Sequence, residues 1–308
     1  MITSPNPRNT VLYTWAGSKR KFTENIHRAI DDMNIDKVEL YIEPFAGSLS
    51  FTINNIAKIK ANKYIVNDLD KNLTSVFKAV KNDYRKVQEE YLKVRNEFLT
   101  VIPEEFRVNS LKEEIRGYCQ EAKKFYKKTV NRLNETTNIF EIAGLFIFKM
   151  EYVTSGMLQY DKNNKIKNTN YNWKFKTIGK LKHIEYYSYI LNKYDVIIEN
   201  LDVFELIKKY DKYSNDSFIY LDPPYLDCKH IYNSDASKEF QLKLINETDK
   251  FKYRLYSNED CQSLYELDIN SHFQQEYRFV RSGKKLGGNE YLAYSINDAN
   301  SNLMEVAA

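Results

Sequence analysis

Four short apolar runs in this chain all stop in the same way. VELYIEPFAGS (38–48), KYIVNDLD (63–70), YDVIIENLD (194–202) and SFIYLDPPY (217–225) each break at an acidic or Gly/Pro-containing turn. Runs of this length, rich in β-branched and aromatic residues and bounded by turn signals, read as buried strands. In open α/β sheets, ligands bind outside the carboxyl ends of the parallel strands. Four polar stops at that end therefore predict an α/β fold with a single site built from the strand ends.

Between Asp70 and about Asn192 the texture changes. LTSVFKAVKNDYRKVQEEYLKV carries apolar residues at helical spacing, and NIFEIAGLFIFKMEYV reads as a more buried helix. TSGMLQYDKNNKIKNTNYNW (154–173) is polar and aromatic, with DKNN as a hairpin turn signal. The expected organisation is a core of residues 1–70 and 193–298, an insertion of helices and a hairpin over 71–192, and a weakly ordered tail at 299–308. A hydrophobic content of 43% supports a packed core. No run of about 18 apolar residues is present, so no membrane span is expected. The opening residues lack the charged-then-apolar pattern of a secretory signal. Cys119, Cys228 and Cys261 are odd in number and widely spaced, and the histidines are scattered. Neither a disulfide framework nor a zinc site is expected, and a reducing cytosol fits. The net charge of +4 is a mild bias, but basic residues cluster in KKFYKK (123–128) and RSGKK (281–285).

The turns carry the chemistry. In EPFAGSLS (43–50), Gly47 lets backbone approach a ligand closely ahead of a helix N-terminus, although Leu49 stands where a further glycine could be. Asp68 in VNDLD comes about 20 residues later, where an acidic side chain can accept from a ribose; a helix cap at Asp68 or Asp70 is the structural alternative. In DPPY, two prolines end the strand and stiffen the turn after it. The Asp222 carboxylate and the Pro223 carbonyl are then fixed acceptors for the two hydrogens of an exocyclic amine, Pro224 holds the turn, and Tyr225 can stack on the ring. Acceptors on an aromatic amine return electron density to its nitrogen, which can then attack a sulfonium methyl in line.

These motifs, in this order, resemble the DNA adenine-N6 methyltransferases of the Dam type, notably phage-like members. YTWAGSKRKF (13–22) looks like the family's N-terminal motif, YIEPFAGSLSFTIN like its cofactor loop, and IVNDLDKNLTSVF like its ribose-binding strand. IYLDPPYL looks like its catalytic motif, YRLYSNED (253–260) like a later core strand, and RSGKKLGGNEYLAYS (281–295) like its closing hairpin. The resemblance implies a Rossmann-like S-adenosylmethionine-dependent methyltransferase core with an inserted, mainly helical DNA target-recognition domain. It implies cofactor contacts from Trp15, Lys19, Glu43, Phe45, Gly47 and Asp68, with Asp202 toward the cofactor adenine. Asp222, Pro223, Pro224 and Tyr225 would hold an adenine flipped out of double-stranded DNA. In the recognition segment, Gln159 stands where an arginine is common, and Thr14 where a lysine is common in GATC-reading members. Arginine reads guanine edges and glutamine can read adenine. Lys162, Lys165, Lys167, Arg281, Lys284 and Lys285 are candidates for phosphate contacts, which position without specifying. A monomer in the cytoplasm of a bacterial or phage-infected cell, associated with the nucleoid and with a cognate restriction endonuclease as a candidate partner, is the implied setting. The alternatives are methylation of cytosine N4 or of adenine in RNA, or a DNA-binding protein on an inactive methyltransferase core.

Overall fold

The structure is a computed structural model. It describes residues 10–19, 23–102, 116–153, 156–168, 171, 180–225, 237–259, 271–281 and 284–297, with side chains left out at 116–119, 259, 271–281 and 284–291. The expected tail, 299–308, lies outside the described residues, as does Cys228.

The apolar runs form the parallel part of one seven-stranded sheet, β1 (Val38–Glu43), β2 (Ala61–Asn67), β3 (Ile197–Glu199) and β4 (Ser217–Leu221), joined by β5 (Tyr253–Glu259). A long pair, β6 (Ser271–Arg281) and β7 (Lys284–Ile296), completes it, with β7 antiparallel to both β5 and β6. The order is β3-β2-β1-β4-β5-β7-β6. From β1 the chain winds outward to β2 and β3, then returns to the other side of β1 as β4. That reversal opens a crevice at the carboxyl ends of β1 and β4. Leu40 pairs with Ser217 and Ile42 with Ile219, so Glu43 and the DPPY turn end at nearly the same level.

Side chains alternate between two apolar layers, as strand pleating requires. Leu40, Ile42, Ile65, Ile219 and Leu221 pack against α8 (Val203–Tyr210) and α9 (Lys238–Thr248). Tyr41, Tyr64, Val66, Phe218 and Tyr220 face the opposite layer. That layer holds α1 (Thr23–Asp32), α2 (Ser50–Asn55) and α3 (Lys71–Asn82). It also holds α4 (Tyr84–Val101), α5 (Arg116–Glu135), α6 (Ile139–Glu151) and α7 (Lys180–Lys193), so these helices share a core with the sheet. Asp70, Asp83, Asn138, Asp202 and Ser237 cap α3, α4, α6, α8 and α9, each accepting from a backbone amide of the first turn.

Helix α6 lies inside the helical layer, and every residue from Ile142 to Glu151 is buried. A helix that is buried all round needs close neighbours, and Gly144 lets one approach. A Cβ there would lie 2.7 Å from the backbone carbon of Glu90 and the amide nitrogen of Tyr91 in α4. Backbone cannot swing aside as a side-chain tip can. Gly144→Ala is therefore expected to lower stability by about 2 kcal/mol despite alanine's better helix propensity. A urea midpoint at or above the wild-type value would contradict this account of the α4–α6 contact.

Candidate active site

Residues 10–19 cross the carboxyl ends of the strands and deliver Lys19 to the DPPY turn. Gly17, with φ +79°, turns the chain just before it. The Lys19 side chain is almost fully buried, and three acceptors surround its ammonium: Asp222 Oδ1 at 2.8 Å, the Tyr225 hydroxyl at 2.7 Å and the Gly17 carbonyl at 2.9 Å. An ammonium has three N–H donors, so this arrangement offsets its desolvation. The resemblance implies a cofactor contact for Lys19; its ammonium lies on the DPPY turn, against Asp222 and Tyr225. Pro223 is buried, while Asp222, Pro224 and Tyr225 are partly exposed. The Pro224 carbonyl accepts at 2.7 Å from Gln241 Nε2 on α9, and Asn258 Nδ2 donates to Gln241 Oε1 at 3.4 Å. No local sequence pattern marks Gln241, because it meets the turn only through packing of α9. Beneath the turn, Tyr220 stacks on Phe51 with ring centres 3.5 Å apart.

The second half of the crevice is the glycine turn after β1. Gly47 has φ +51°, and its amide donates to Asp68 Oδ2 at 2.8 Å. The other Asp68 oxygen accepts from the Asp70 amide at 2.9 Å. Two strand-end turns are thereby clipped together by one carboxyl group. Burial, then the neighbouring charge of Asp70, pushes the Asp68 carboxyl up to about 7. A Cβ on Gly47 would come within 2.8 Å of Trp15 Nε1, so the indole lies directly on the glycine. Leu49, where a further glycine was conceivable, adopts φ +60° without being glycine, and its side chain is fully buried. That burial offsets a left-handed backbone costing on the order of 1–2 kcal/mol.

Glu43 is enclosed below this turn, where its carboxyl oxygen accepts from the hydroxyls of Tyr41, at 3.0 Å, and Thr52. Burial pushes it up to about 8 against the lowering effect of those bonds, so near neutral pH it is mainly protonated. Phe45 meets Phe240 edge-on, and Phe240 meets Phe204 in turn, forming an aromatic wall of the crevice. Asp202 is exposed and accepts from the Phe204 amide at 2.9 Å, which places it beside that wall.

The segment from Gly156 to Lys167 reaches the same end of the sheet. Gly156, with φ +69°, accepts at its carbonyl from the Ala16 amide at 3.3 Å, and a Cβ on it would strike Thr14 and Trp15 backbone at 2.7 Å. Tyr160 pairs with Ile166 across the predicted DKNN turn, whose Asp161 side chain accepts from the Asn163 and Lys165 amides. Gln159 is partly buried and its carbonyl accepts from the Lys167 amide, while Lys162, Lys165 and Lys167 are exposed. The Tyr160 hydroxyl donates to Asp70 Oδ2, tying the hairpin to the turn that carries Asp68. Lys149 on α6 is buried nearby, and desolvation lowers it to about 7 against the attraction of Asp70. Sequence reasoning missed Tyr160 and Lys149, since their relation to Asp70 spans too many residues to leave a local signal. Arg281 ends β6, and Lys284 and Lys285 open β7; their side chains lie outside those described. Among the described residues no cluster of histidine, cysteine and acidic side chains could hold a metal, and no helix is long and apolar enough to cross a membrane.

Comparison with known proteins gives this geometry a family. The Type II methyltransferase M.MjaIII of Methanocaldococcus jannaschii is 28% identical over 220 residues, spanning 68% of this chain and 67% of that protein. Two solved structures of the rRNA methyltransferase aviRa from Streptomyces viridochromogenes align over 95% and 100% of this chain and over 89% and 94% of theirs. Their identities are 11% and 9% and their TM-scores 0.39 and 0.40, a level that does not establish a shared fold. The family model for D12 class N6 adenine-specific DNA methyltransferases matches residues 15–278, from the tryptophan on the glycine turn to the long antiparallel strands. The match covers the DPPY turn, the glycine turn and the segment between them, and it selects adenine N6 in DNA over the cytosine and RNA alternatives. This chain belongs to the D12 class of N6 adenine-specific DNA methyltransferases, enzymes that methylate DNA adenine.

Proposed function

We propose that the chain transfers the methyl group of S-adenosylmethionine to N6 of an adenine flipped out of double-stranded DNA at a specific sequence. The observation that carries this is the Lys19–Asp222–Tyr225 cluster beside the Gly47–Asp68 clip. The residues present fit the cofactor. Asp68 is an acceptor for ribose hydroxyls, Gly47 lets backbone come close under Trp15, and Phe45, Phe204 and Asp202 offer an apolar wall with an adjacent acceptor for an adenine ring. When bound, S-adenosylmethionine supplies an electrophilic methyl group on a sulfonium. Glu43, mainly protonated under the turn, keeps a second negative charge away from Asp222.

Asp222 and the Pro223 carbonyl accept the two N6 hydrogens, and the Tyr225 ring lies on the base. Lys19 fixes the carboxylate and the phenol with one ammonium, so both are oriented before the base arrives. The two acceptors keep electron density on N6, and the bound cofactor would supply the methyl group that the N6 lone pair takes, departing as the neutral thioether. One N6 proton then leaves along the hydrogen bond to Asp222. Residues 71–192 form the recognition insertion of a core made by 1–70 and 193–298. Gln159 sits at the base of the reading hairpin, and Lys162, Lys165, Lys167, Arg281, Lys284 and Lys285 meet phosphates. The likeness to a Type II methyltransferase supports a role beside a cognate restriction endonuclease, with the enzyme acting as a cytoplasmic monomer.

Asp222→Ala and Asp222→Asn are both expected to bind S-adenosylmethionine with near wild-type affinity. The alanine variant should transfer no detectable methyl group to DNA, measured by mass spectrometry of digested nucleosides. The asparagine variant preserves shape around Lys19 and so separates chemistry from folding; near-normal turnover by the alanine variant would refute the assignment. The Asp68 carboxyl near 7 gives a second test. Its ionised form accepts more strongly from ribose hydroxyls, so cofactor affinity should rise as pH goes from 6 to 8 and level off above. The gain is at most about tenfold per unit, opposed in part by loss of charge on Lys149. In Asp68→Asn, calorimetry should show weaker binding with that rise removed; an unchanged pH profile would exclude Asp68 as the contact.

A further inference from the structure

The lysine-rich stretch KKFYKK lies in α5, and its geometry is not used by the site described above. Ala122, Tyr126, Thr129, Val130 and Leu133 face the core. Lys123, Lys124, Lys127 and Lys128 are exposed on the other side. Lys124 is paired with Glu121 at 2.6 Å, whereas Lys123, Lys127 and Lys128 have no ion pair among the described residues. Lys123 and Lys127 are four residues apart, a spacing at which like charges destabilise a helix by about 0.2–0.5 kcal/mol. Nothing among the described residues offsets that cost.

The position of the column points to its use. Asn134, in the last turn of α5, grips the hairpin through both ends of its amide: Nδ2 donates to the Ile166 carbonyl at 3.0 Å, and Oδ1 accepts from the Ile166 amide at 2.9 Å. Helical geometry sets Lys123, Lys127 and Asn134 within about 40° of one another round the axis. Lys127 therefore stands about 10 Å, and Lys123 about 16 Å, along the helix from the hairpin contact. The exposed Lys162, Lys165 and Lys167 are carried by the hairpin that Asn134 holds, and Gly156, just before that hairpin, pairs with the loop that carries Trp15 and Lys19. Exposed basic side chains thus stand both on the hairpin and on the helix that holds it. A duplex presents one negative charge per about 1.7 Å of axis, so a column of this length spans several phosphates.

We propose that the exposed lysine column of α5 is a docking track for the sugar–phosphate backbone of duplex DNA flanking the target sequence. It rests on the reading of this chain as acting on duplex DNA and extends it to a surface outside the catalytic crevice. The track adds affinity without sequence information, because phosphates are the same at every step. It also tethers the enzyme to long DNA between turnovers.

The test compares Lys123→Gln/Lys127→Gln with the wild-type protein and with Lys37→Gln/Lys60→Gln. The control lysines are exposed just before β1 and β2, at the opposite end of the sheet. Binding is measured against salt on a duplex of about 30 bp that the wild-type enzyme methylates, and on one of about 10 bp, one helical turn, centred on the methylated adenine. Each lost phosphate contact lowers the slope of log K against log salt by about 0.9, so the α5 variant should lose about 2 on the long duplex. It should lose nothing on the short one, and the control should match wild type on both. Methylation of long DNA should weaken through KM, with kcat retained and the same adenines modified. A wild-type slope in the α5 variant, an equal loss in the control, or an equal loss on the short duplex would overturn the proposal. Failure of the wild-type protein to bind or methylate duplex DNA would instead bring down the functional reading together with this one.

Discussion

A buried ammonium without acceptors is costly, and the site is organised around removing that cost for Lys19. Its partners come from two distant parts of the chain: the Gly17 carbonyl in its own loop, and Asp222 and Tyr225 in the turn after β4. Satisfying the ammonium therefore requires the N-terminal segment to close over the strand ends. That closure lays Trp15 on Gly47, and it gives Gly156 a backbone edge to pair with. The DPPY turn, the indole over Gly47 and the start of the proposed recognition segment are consequently joined by one ion pair and the loop that delivers it.

A parallel logic joins the hairpin to the Gly47 turn. Asp68 accepts from the Gly47 and Asp70 amides, and Asp70 caps α3 while accepting from Tyr160. Burial raises both carboxyls, and the neighbouring charge of Asp70 raises Asp68 further. A cofactor donor at Asp68 and a DNA contact at the hairpin would act on opposite ends of this short chain of hydrogen bonds. By linkage, any effect of one on the other is reciprocal in binding free energy.

Much of the fold was legible because its signals are local. β1, β2 and β4 are apolar runs that end in polar turns, and pleating converts that pattern into two buried faces. The DKNN turn was legible for the same reason, since Asp161 closes it within four residues. Gln241, Tyr160 and Lys149 were not, because each meets its partner across at least 17 residues. Leu49 was legible only as a missing glycine; that a leucine there adopts the left-handed conformation reflects the full burial of its side chain in the core.

The sequence by itself determined the kinds of group available, an acid with two prolines and a tyrosine, a glycine turn and an acid at the next strand end, and with them the class of chemistry. Tertiary structure decided what each group touches. It set the Lys19 ammonium against Asp222 and Tyr225, enclosed Glu43 as a mainly protonated carboxyl, and joined α5 to the hairpin through Asn134. The reason is physical: a motif's chemistry depends on residue type and local backbone, whereas charge, orientation and partnership depend on burial and on neighbours supplied by remote parts of the chain.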